Sequence, residues 1–146
     1  MKPFSLQTVL DYRKRLEDIA QYRFIEAKKI VETIEKKLND EVDALAEFIK
    51  ETEKLQTVGI GITELIRHEE RITAQKDNIK AIKKHLSERY ELVHKEQQNL
   101  IHRCKERRIM EQLKETQNKA WQSYLNKKEA AMLDEIATSR HEPDTF

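Results

Sequence analysis

The chain has 146 residues, 38% of them charged and 6% aromatic, with two glycines, two prolines and one cysteine. That is too little punctuation for a strand-and-turn fold and too little apolar material for a multilayered core, yet enough for one apolar stripe per helix. A net charge of +1 gives no overall attraction to a polyanion, and the single Cys104 excludes an intramolecular disulfide and fits a reducing compartment.

The opening stretch, M-K-P-F-S-L-Q-T-V-L-D-Y-R-K-R, has neither a continuous hydrophobic region nor a small-residue cleavage site, so no secretory signal is read there. No run approaches the roughly 18 consecutive apolar residues of a membrane span, and a cytoplasmic location is expected. Pro3 precedes the first periodic segment and Pro143 follows the last, while both glycines fall in T-V-G-I-G-I-T, at Gly59 and Gly61. The expectation is a single domain over 1–146: helix 1 at 4–57, a turn at 58–62, helix 2 at 63–140, and a disordered tail at 141–146.

Helix 1 opens with a broad apolar face of Leu6, Val9, Leu10, Leu16, Ile19, Ala20 and Phe24. From Ala27 the apolar positions Val31, Ile34, Leu38, Leu45, Phe48 and Leu55 alternate steps of three and four, with Glu41 and Thr52 interrupting the run. That 3.5-residue period is what keeps two supercoiling helices in register. Helix 2 carries Leu65, Ile72, Ile79, Ile82, Leu86, Val93 and Leu100 on one face, turning polar at Arg89 or Tyr90 and at Gln97. Beyond Leu100 the stripe thins to Arg107, Met110, Leu113, Trp121 and Tyr124. The fold class is therefore all-α: two long helices forming an antiparallel coiled-coil hairpin. Folding at the glycines brings Leu6 near Lys114 and Ile34 near Leu86, and leaves an overhang of about 35 Å on helix 2. Acidic residues from Asp40 to Glu53 crowd the turn end, and basic residues from Arg103 to Lys128 enrich the open end.

No chemistry is evident in this pattern. The five histidines include no pair at the i, i+4 spacing of a helical metal site, and His68-Glu69-Glu70 reads as a solvated face. Two glycines cannot build a phosphate-binding loop. Cys104, in H-R-C-K-E-R-R, has cationic neighbours but no enclosing pocket for nucleophilic catalysis. The basic stretch from His102 to Lys119 is interrupted by Glu106, Glu111 and Glu115 at helical spacing, which argues against nucleic acid. A non-enzymatic protein-binding role without a cofactor or metal is expected.

The opening F-S-L-Q-T-V-L-D-Y-R-K-R-L-E-D-I-A and the closing N-K-K-E-A-A-M-L-D-E-I-A-T-S-R resemble the flagellar type III export family FliJ, and the length and glycine-containing turn agree. The resemblance implies an antiparallel coiled coil similar to the central stalk of rotary ATPases. It implies that the open end enters the hexameric flagellar export ATPase and promotes its assembly. Contact with the cytoplasmic region of the membrane export gate and with export chaperones is implied as well, giving peripheral association at the inner face of the membrane. By matching position, the ATPase-facing residues are Gln7, Arg13, Lys14, Glu17, Lys128, Asp134, Glu135 and Arg140. The gate-contacting patch falls on Glu64, His68, Arg71, Ile72 and Gln75, anchored also by Ile79. Family members present apolar side chains at part of that patch, and a one-residue change of register brings in Leu65 and Ile72 instead. A stalk of a related secretion injectisome is an alternative. So is a generic coiled-coil scaffold, which would self-associate as a parallel dimer without bending at the glycines, whereas the hairpin is expected to be monomeric.

Overall fold

The computed structural model describes residues 4–141, which form an all-α helical hairpin of two helices, α1 (Gln7–Val58) and α2 (Ile62–His141). Helix α1 starts three residues later than the sequence suggests. Phe4 lies before the helix, accepts a hydrogen bond from Gln7 N at 3.1 Å, and packs against Leu10 and Met110. This resembles a hydrophobic staple, in which an apolar residue outside the helix covers its first turn. Leu6, expected inside, is 39% exposed because Phe4 takes the place beside Leu10. Helix α2 reaches His141, and the remainder of the expected tail lies outside the described residues.

The turn is tight because the two glycines have different tasks. Gly59 has φ +110°, and its N–H donates to Leu55 O at 2.9 Å, closing α1 with a left-handed cap that a Cβ would strain. Gly61 has no such backbone conformation. Its carbonyl accepts from Leu65 N at 3.0 Å and starts α2, with Glu64 complementing the positive end of that helix.

Two compact units are distinguished along the hairpin. One combines the chain up to Asp18 with the chain from Ile101 onward, and the other is Ile19–Leu100. Within the second unit, α1 turns Ala20, Phe24, Ala27, Val31, Ile34, Leu38, Glu41, Leu45, Phe48 and Thr52 inward, and steps of three and four alternate without interruption. On α2 the matching positions run from Leu65 through Ile72, Ile79, Ile82, Leu86 and Val93 to Leu100. Arg89 and Glu96 occupy the intermediate positions, whereas Tyr90 and Gln97 are exposed, because strict alternation from Leu86 lands one residue earlier. Leu55, expected on the seam, is 42% exposed. It sits in the last turn before the connection, where α2 has barely begun.

Candidate partner-binding surfaces

In the first unit the inward positions are mostly polar, and several are bonded to the opposite helix. Lys114 Nζ donates to Gln7 Oε1 at 2.8 Å. Arg13 Nη1 donates to the Glu106 backbone carbonyl at 2.9 Å. Arg107 pairs with Glu17 across the helices and with Glu111, 2.7 Å away, along its own. The Arg107 guanidinium is held above the ordinary arginine range, chiefly by its hydrogen bond to Glu17. Desolvation opposes this, and the charges of Glu17 and Glu111 and a contact to Cys104 reinforce it. A base whose folded pKa is raised contributes its full stabilisation below its ordinary pKa and loses it only as pH climbs beyond. Titration of Arg107 therefore does not release this pairing near neutrality.

The residues expected at the open end differ in burial. Gln7, Arg13 and Glu17 are partly buried and engaged by α2, while Lys14 is exposed. Lys128, Asp134, Glu135 and Arg140 lie on a stretch of α2 where, from Ala120 to Arg140, every residue except Trp121 is exposed. Trp121 stacks on Tyr124 with ring centroids 5.4 Å apart. Leu125, Met132, Leu133 and Ile136 are between 39% and 59% exposed. These apolar side chains share a single exposed helix with the charged ones.

In the second unit the residues expected to meet a gate fall around one cluster near the turn. Thr52 is buried, donates its hydroxyl hydrogen to Phe48 O at 2.9 Å, and lies within hydrogen-bond distance of His68 Nδ1, also 2.9 Å away. The His68 ring stacks on Phe48 at 4.9 Å, and the Arg71 guanidinium lies 4.3 Å from the centroid of the Phe48 ring. Gln75 Nε2 bonds both the Glu41 carboxylate and, at 3.4 Å, its carbonyl. A shallow groove is lined by Glu41, Ala44, Leu45, Phe48, Arg71 and Gln75. Glu64 is exposed, and Ile72 and Leu65 are half-buried. The contributions of Phe48 and Glu41 were not legible in helix 2 alone. Both are seam positions of helix 1, and only the pairing brings them to this patch.

Among the described residues no group of histidine, cysteine and carboxylate side chains is placed to hold a metal ion, and no helix is long and apolar enough to cross a membrane. A family model described as the flagellar FliJ protein matches residues 1–142 of the chain. No curated protein and no solved structure matches it.

Proposed function

We propose that this chain, which belongs to the flagellar FliJ family, acts as the stalk of the hexameric flagellar export ATPase. Membership gives it a role in flagellar protein export, in a family of non-catalytic components. The finer reading is supported above all by the exposed stretch of α2 from Ala120 to Arg140, a single helix carrying apolar and charged side chains. Such a helix suits insertion into a ring of subunits. In this reading Lys14, Lys128, Asp134, Glu135 and Arg140 meet the ATPase, and Gln7, Arg13 and Glu17 hold the first turns of α1 in place beside them. The groove flanked by Arg71 and Gln75, together with Glu64, His68 and Ile72, meets the cytoplasmic region of the export gate, which brings the protein to the inner face of the membrane. Export chaperones are further partners.

The test is to add the purified chain to the export ATPase of the same organism and follow hydrolysis and ring formation together. Stimulated turnover with more hexamer, abolished by deleting residues 121–146, is the expected result. Unchanged turnover and assembly at every ratio would discard the stalk role and leave an export adaptor with another partner. For the gate, Arg71→Ala should weaken capture of its isolated cytoplasmic region while leaving the ATPase effect unchanged.

A further inference from the structure

We propose that the exposed stretch of α2 also pairs with itself: residues 121–140 of two copies of this chain dock antiparallel about a two-fold axis. Leu125, Met132 and Ile136, with Glu129 between the first two, form a stripe at helical spacing, and the three apolar residues are 39%, 56% and 50% exposed. Lys128 and Glu135 lie one heptad apart, within about 20° of each other around the helix, on the same flank of that stripe. Glu135 also lines a shallow depression with Met132, Ile136, Ser139 and Arg140.

The two charges are unused within the chain. Neither has an opposite charge three or four positions away. Earlier in α2 that spacing is exploited repeatedly, by His102–Glu106 at 2.9 Å, Arg103–Glu106 at 3.3 Å, Arg107–Glu111 at 2.7 Å and Glu115–Lys119 at 3.3 Å. Beyond Lys119 no ion pair forms among the described residues. An axis crossing between Ala131 and Met132 sets each Lys128 opposite the other copy's Glu135, so that one contact occurs twice, as an isologous interface requires. The same axis brings the two Met132 side chains together and sets Leu125 beside Ile136. Parallel pairing instead puts the two copies of this flank on opposite sides of the interface, where no Lys128–Glu135 contact forms.

The patch is one face of about five helical turns, so the interface falls below the roughly 1,200 Å² of standard stable complexes and the dimer is weak. The pairing does not depend on the ATPase reading, because it is tested with this chain alone. Sedimentation equilibrium of the full chain at low salt, from micromolar to millimolar, should show a monomer–dimer equilibrium. Fluorescence of Trp121, the single tryptophan, should change over the same range. Lys128→Glu and Glu135→Lys should each weaken association about tenfold, since every reversal replaces two attractions with two repulsions. The double variant, with both charges exchanged, should restore it, and circular dichroism should show equal helicity throughout. A chain that stays monomeric, single reversals without effect, a double variant as weak as the singles, or assembly beyond the dimer would each overturn the proposal.

Discussion

Between Ile19 and Leu100 the facing positions are filled by Ala27, Val31, Ile34, Ile79 and Ile82, all buried, whereas among the described residues of the unit built from both ends of the chain only the apolar Phe4, Leu10 and Met110 are. There the facing helices set Gln7 against Lys114, Arg13 against the Glu106 carbonyl and Glu17 against Arg107. The heptad period is what keeps two helices facing each other, and it tolerates a change of filling from aliphatic to ionic. Aliphatic filling supplies stability in proportion to the area removed from water. Ionic filling contributes little net free energy, since desolvation offsets most of the attraction, but it is selective about which side chains meet. The apolar unit is thus the stable part of the hairpin, and the polar unit is the part that specifies register.

That contrast can be broken most severely by Ile34→Asp, which places an unpaired charge in the apolar seam. It should cost about 3 kcal/mol, seen as a lower midpoint in thermal or urea unfolding. Leu10→Ala removes the most buried side chain of the polar unit, 1% exposed. Its cost should be about 2 kcal/mol, near the lower end for buried leucines because so few apolar neighbours surround it. Glu17→Ala should cost about 1 kcal/mol, and its effect should shrink at high salt, because the pair with Arg107 is about one-fifth exposed. A salt-independent loss would mean that packing, not charge, holds these helices together. The two glycines sharpen the picture at the turn. Gly59→Ala should cost about 1 kcal/mol through its left-handed backbone, while Gly61→Ala should change stability by no more than about 0.5 kcal/mol, as a Cβ there meets nothing within 4 Å.

Much of this was legible beforehand because a helical period is a local property of sequence. Two glycines flanked by long unbroken segments indicated the hairpin and its approximate register, and Lys114, expected near Leu6, meets the adjacent Gln7. Details that depend on which side chain wins a position were not. Phe4 displaces Leu6 from the small core, Arg89 rather than Tyr90 takes its seam place, and Glu96 takes the place expected of Gln97. The candidate sites were readable only as positions along a helix. Matching motifs pointed to Gln7, Arg13 and Glu17 as ATPase-facing residues, and only the structure shows that their side chains are also engaged within the hairpin. Lys14, one position from Arg13, is exposed because a single residue turns a helix by about 100°.

The sequence by itself determined that this protein is helical, where it turns, and which period the helices share. These follow from backbone freedom at glycine and from the spacing of apolar side chains along one strand of chain. Only the tertiary structure decided which polar side chains are occupied and which remain available. Satisfaction of a charge or a hydrogen bond depends on what the second helix brings to within about 3 Å, and no single helix contains that information. His68 illustrates the point: one of five similar histidines in the sequence, it becomes distinct once Thr52 and Phe48 are set against it.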